Sequence, residues 1–94
     1  MAIQSFGNSA AKRIAARQHI PNIHPRVQKI AQRKIRQLDV AGSINDLRVP
    51  PSNHFEKLKG DRAGQYSIRV IDQWRLCFTW GDRGPADVEF VDYH

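Results

Sequence analysis

The hydrophobic pattern changes period once along this chain. From Pro25 to Leu38 the apolar residues Val27, Ile30, Ala31, Ile35 and Leu38 recur every three or four positions, the single stripe of an amphipathic helix. Lys29, Arg33 and Arg36 fall off that stripe, so the helix is predicted to carry an apolar seam and a basic back. Pro25 suits its first position and Gly42 its end. Upstream, Asn8 or Ser9 can cap an alanine-rich helix that runs through Ala11, Ile14 and Ala15 to about His19, before Pro21 and Pro25 break the pattern. Ala2–Phe6 is only weakly strand-like. Ser43–Asn53, with Pro50, Pro51 and several turn formers, reads as a loop.

Beyond that loop the period is two. Phe55–Leu58 predicts a short strand. Tyr66, Ile68 and Val70 alternate with Ser67 and Arg69, and Trp74, Leu76, Phe78 and Trp80 alternate with Arg75, Cys77 and Thr79. The two runs are separated by Asp72-Gln73 or their close neighbours, an antiparallel hairpin signal. Gly81–Asp87 reads as a turn and Val88–Tyr93 as a last strand. A meander with one apolar face needs a cover, and the striped helix is the large apolar surface left to supply it. The fold class expected is α+β, one domain over residues 1–94, with two N-terminal helices packed on one face of a small antiparallel sheet. Trp74 and Trp80 are expected in the core, because they share the alternating apolar set.

Composition adds exclusions. The 94 residues are 40% hydrophobic and 26% charged, which excludes collagen, coiled coil and disorder as the main reading. No apolar run approaches the roughly 20 residues of a membrane span. The opening MAIQSFGNSAAKR lacks the order of a secretory signal, and a lone Cys77 cannot form an internal disulfide, so the expected location is cytoplasmic with no membrane partner. The net charge is +6, and it is uneven: residues 1–38 hold eight basic side chains and no acidic one, residues 39–94 seven basic and nine acidic. Such an asymmetry points to RNA, DNA or a ribosomal surface, with Lys29, Arg33, Lys34 and Arg36 as contacts, against the plain alternative of two solvated helix faces.

The candidate chemistry lies on the sheet's other face. Arg69 and Arg75 alternate out of the core on adjacent strands, so both are expected to emerge together on an open surface. Lys59, Asp61 and Arg62 lie in the loop before the hairpin, and Asp92, Tyr93 and His94 close the last strand. Together they offer cations for a phosphate, a ring to stack on a base and a group titrating near neutrality. Four histidines and one cysteine show no metal-ligand spacing, no glycine-rich phosphate loop is present, and Cys77 reads as an inert thiol, so no metal or cofactor is expected.

Leu58-Lys59-Gly60-Asp61-Arg62-Ala63-Gly64-Gln65-Tyr66-Ser67-Ile68-Arg69-Val70, then Gln73-Trp74-Arg75-Leu76-Cys77-Phe78 and the terminal Val91-Asp92-Tyr93-His94, resemble the HigB branch of the RelE toxins. The likeness runs over nearly the whole chain, including the opening Ile-Gln-Ser-Phe and the Asp-Leu-Arg-x-Pro-Pro loop. It implies a ribosome-dependent endoribonuclease (an mRNA interferase) that cuts mRNA in the decoding site by metal-independent 2′-OH attack, restrained by a HigA-type helix-turn-helix antitoxin. It further implies that Lys59 and Arg75 stabilise the phosphate, that Asp92, Tyr93 and His94 form a catalytic triplet with His94 moving the proton, and that Arg69 and Arg62 assist on RNA. Some members carry a histidine where this chain has Glu56-Lys57, so the general base is open between His54 and Glu56. Two other functions compete: a non-enzymatic ParE-like toxin that binds DNA gyrase, and a basic nucleic-acid-binding module.

Overall fold

A computed structural model describes residues 3–92. Helix α1 spans Ser9–Ala15 and α2 spans Pro25–Val40; strands β1 (Glu56–Lys57), β2 (Tyr66–Arg69), β3 (Trp74–Gly81) and β4 (Gly84–Asp92) form one antiparallel sheet in that order. The helices lie over one face, as the apolar stripe requires. Ala11 and Ile14 of α1 and Ala31, Ile35 and Leu38 of α2 are buried against Ile68, Leu76, Phe78, Val88 and Phe90. Trp74 stacks on Phe90 with ring centroids 4.6 Å apart at 7°, and Trp74 and Trp80 are half-buried at the margin of this core.

Asn8, the N-cap of α1, also fastens it to the sheet. Its Oδ1 accepts from Ala11 N (3.0 Å) and Phe90 N (3.2 Å), while its Nδ2 donates to Phe90 O (3.0 Å). The helix ends at Ala15, about four residues short of its expected end. Gln18 N donates to Arg13 O and Arg17 N to Ile14 O, both at 2.9 Å, and Arg17 closes the turn in the left-handed region at φ 62°. This is a Schellman cap with arginine where glycine is usual, so the sequence carries no stop signal there.

Two further segments differ from expectation. The Ser43–Asn53 loop holds two 3-10 turns, Ile44–Arg48 and Pro51–Asn53, separated by a cis Val49–Pro50 bond. Strand β4 starts at Gly84, inside the expected turn, which shrinks to Asp82-Arg83. Pro85 and a bulge hid the strand: Cys77 pairs with Glu89 but Thr79 with Ala86, so Asp87 (φ 52°) is the extra residue that breaks the alternation. The opening segment docks on this bulge. Ser5 Oγ accepts from Asp87 N (2.9 Å), Val88 N donates to Ser5 O (3.2 Å), and Phe6 forms a parallel bridge with Val88.

Candidate active site

Register builds the outer face in two rows. Glu56 pairs with Ser67, Ser67 with Cys77 and Cys77 with Glu89; the next row runs Arg69, Arg75, Val91. Arg69 and Arg75 therefore stand directly opposite, as their alternation predicted. The face is not open, however. Ser67 and Cys77 are wholly buried and Arg75 is 6% exposed. Arg62 reaches across to Glu89 (3.3 Å) while also holding Gln65 Oε1 (2.9 Å), and the His54 corner lies against Arg75. The expected solvated surface is instead a packed polar floor.

Arg75 is the most buried cation on that floor. Its Nε donates to Ser67 Oγ (2.9 Å) and its Nη2 to the His54 carbonyl (2.5 Å). Ser67 was not anticipated as a partner, although the alternation that places Arg69 outward places Ser67 beside it. Like charges opposite one another on adjacent strands repel, so Arg69 and Arg75 need compensation. Asp72 supplies part of it through an ion pair with Arg69 Nη2. Arg69 Nη1 also lies 3.3 Å from His54 Nε2. A guanidinium can only donate, so in a hydrogen bond between the two, Nε2 is the acceptor. His54 thus belongs to the arginine cluster: its ring meets Arg69 and its carbonyl meets Arg75.

Lys59 and Glu56 lie in a neighbouring recess. Both are exposed and line a cavity of about 630 Å³ with Lys57, Leu58, Asp61 and Arg62. Arg62 is engaged by Glu89 rather than free for RNA in this state. Asp92 ends β4 opposite Trp74, alternating with the Val91 that faces Arg75, and accepts from Gln73 Nε2 (3.3 Å). Tyr93 and His94 lie outside the described residues. Burial raises the Cys77 thiol's pKa; Arg62 and Arg75 oppose that rise, and Glu89 and Glu56 add to it. Among the described residues, no three His, Cys, Asp or Glu side chains gather as metal ligands would.

The helix cations divide. Lys29, Arg33 and Arg36 are exposed and, with Arg17, rim a groove of about 400 Å³ between α1 and α2 floored by Phe6 and Ile14. Lys34 does not join them, which corrects its assignment as an RNA contact. It is 8% exposed and its Nζ donates to Asn53 Oδ1 at 2.5 Å. Position 34 lies three residues past Ala31 and four before Leu38, on the buried side of α2.

Two helices thus lie over one face of a four-strand antiparallel meander, and two opposed arginines stand on the other. Two solved structures of the Staphylococcus aureus YoeB–YefM complex, one described as a heterotetrameric toxin–antitoxin assembly, share this fold. Each matches with a TM-score of 0.62 and 20% identity, over 98% of this chain and 97% of the matched chain. Residues 5–94 match the family described as RelE-like toxin of type II toxin-antitoxin system HigB, and the chain belongs to that HigB-like family. It is 48% identical over 62 residues to Toxin HigB-1 of Vibrio cholerae, covering 66% of this chain and 64% of that protein. It is 31% identical over 61 residues to Endoribonuclease HigB of Proteus vulgaris, covering 65% of each. The matched stretch thus falls just short of two thirds of either relative's length.

Proposed function

We propose that this protein is a ribosome-dependent endoribonuclease that stops translation by cutting mRNA in the decoding site, held in check in the cytoplasm by a HigA-type helix-turn-helix antitoxin. The observation that carries this reading is the cluster of Arg75, Arg69 and His54 beside the recess of Lys59 and Glu56. The relative named Endoribonuclease HigB supports the reaction class, and the neighbours solved as toxin–antitoxin complexes support the partner.

The reaction joins the 2′-oxygen to phosphorus as the bond to the 5′-oxygen breaks, leaving a cyclic phosphate and a 5′-OH. Arg75, oriented by Ser67 and the His54 carbonyl, stabilises the extra charge on the phosphate once the floor above it opens to the RNA; Lys59 reaches the same phosphate from the recess. When Arg69 turns to the RNA, His54 Nε2 is released with its lone pair available for the 2′-OH proton. Glu56 is the second candidate for that role. His94 returns a proton to the leaving 5′-oxygen, Tyr93 stacks on a base or orients the phosphate, and Asp92 orients His94 or contacts RNA.

The test is primer extension on a defined mRNA, with and without programmed ribosomes. Codon-phased cuts that need the ribosome and fall about 10²–10³-fold in Arg75→Ala, with the fold retained, are the expected result. Arg75→Lys keeps the charge but loses the two-point hold on Ser67 and His54, and is expected to lie between. Intact RNA in all samples, with growth still arrested in cells, overturns the nuclease reading in favour of a bound target such as gyrase.

A further inference from the structure

We infer that Lys34 and Asn53 form a buried post that positions the His54 corner of the active site, linking helix α2 to the two arginines of the outer face. The inference rests on the nuclease reading for its catalytic consequence, though not for its structural one.

The post is continuous. Lys34 leaves the buried side of α2 and its Nζ donates to Asn53 Oδ1. Asn53 is wholly buried, and its Nδ2 lies within hydrogen-bonding distance of Leu47 O (3.1 Å), Gln37 Oε1 (3.2 Å) and Val49 O (3.4 Å). One amide therefore gathers both sides of the loop between α2 and β1. The next residue, His54, takes a left-handed backbone (φ 43°, ψ 53°) that a non-glycine residue holds only when its surroundings impose it. Those surroundings are Asn53 on one side and, on the other, Arg75 at the His54 carbonyl and Arg69 at its ring. Removing the first anchor leaves the backbone free to relax, and both arginine contacts shift with it.

A cation in this place is costly, which argues for a purpose beyond filling space. Burial, with Arg33 adding repulsion, pulls the pKa of Lys34 down from its ordinary value. The bond to Asn53 survives either way, because a neutral amine still donates. A leucine or methionine would bury the same stem without that penalty, but would leave Asn53 Oδ1 without its donor. Lys34 acts through Asn53 and His54, so it is a positioning residue.

The experiment compares wild type with Lys34→Met, using two readouts on folded protein. The first is the NMR signal of the His54 imidazole, assigned with His54→Gln. The expected result is a shifted, broadened His54 signal in Lys34→Met with the core signals retained; an unmoved His54 signal overturns the inference. The second is single-turnover cleavage on saturating ribosomes well below the melting temperature, with ribosome affinity measured alongside. A rate lowered about tenfold to a hundredfold at unchanged affinity is expected, the penalty for a reacting group misplaced by about 1 Å. Lowered affinity at an unchanged rate would make Lys34 an RNA contact and sink the positioning role. If wild type cuts nothing, the nuclease reading fails, and the His54 signal still decides the post. Lys34→Gln, which keeps a donor on a shorter stem, is measured in the same way if Lys34→Met does not fold.

Discussion

Three buried polar side chains answer the same cost in different ways. Arg75 and Lys34 are held by hydrogen bonds, whereas Cys77 stays neutral, wholly buried in a row between Ser67 and Glu89. Its pKa is raised above the ordinary 9.0, chiefly by burial. The unfolded chain then loses the thiol proton first as pH rises, so it binds fewer protons than the native state and stability falls from pH 9 upward. Lys34 works in the opposite direction. Its folded pKa is depressed, so between that value and the ordinary 10.5 the unfolded state binds more protons and stability rises with pH. Urea titrations from pH 7 to 10.5 should therefore show a smaller alkaline fall in Cys77→Ala and a larger one in Lys34→Met, each relative to its own value at pH 7. Native Cys77 should also resist a thiol reagent that reacts once urea is added. Rapid labelling of the folded protein would show that the floor opens readily.

At the scale of elements, the joins matter more than the elements. Gly7 passes so close to the β4 bulge that a Cβ there would lie 2.6 Å from Glu89 Cγ and 2.9 Å from Asp87 O. The first atom belongs to a side chain that can turn, but the second is backbone already pinned by Ser5. Gly7→Ala should cost about 1–3 kcal/mol in urea unfolding. Because Glu89 holds Arg62, it should also loosen the clasp over Cys77 and speed thiol labelling in the native state. Arg17→Gly, at the left-handed cap of α1, should gain on the order of 0.5–1 kcal/mol by removing the Cβ penalty, less glycine's extra chain entropy. These joins explain what the sequence showed and what it hid. The α2 stripe and the β2–β3 alternation are periodic signals, and both elements appear where predicted, with Arg69 opposite Arg75. The Schellman cap at Arg17, the bulge at Asp87 and the Asn53 bonds are single-residue events set by tertiary contacts, so no period announces them. Lys34 was legible in part: its position on the buried side follows from Ala31 and Leu38, but its charge outweighed its place in the stripe.

Charge is organised over the whole molecule. The acid-free first 38 residues place Lys29, Arg33 and Arg36 on the exposed side of α2, while the proposed catalytic cations sit across the sheet. On the proposed reading, the exposed helix cations would meet structured RNA while the outer face meets mRNA. Lys34 must be left out of any test of this division, since reversing it would break the bond to Asn53. Changing Lys29, Arg33 and Arg36 to glutamate should weaken ribosome binding and flatten its salt dependence. If all three meet phosphates, the slope of log K against log salt should fall in magnitude by roughly 2–3, at about 0.7–0.9 per contact. On ribosomes supplied to saturation the cutting rate should hold near wild type, because no reacting atom has moved. An affinity unchanged across salt would return these side chains to a solvated surface. A loss of rate at saturation would mean that the helix layer and the outer face are not independent, and that docking on α2 helps set the geometry around Arg75.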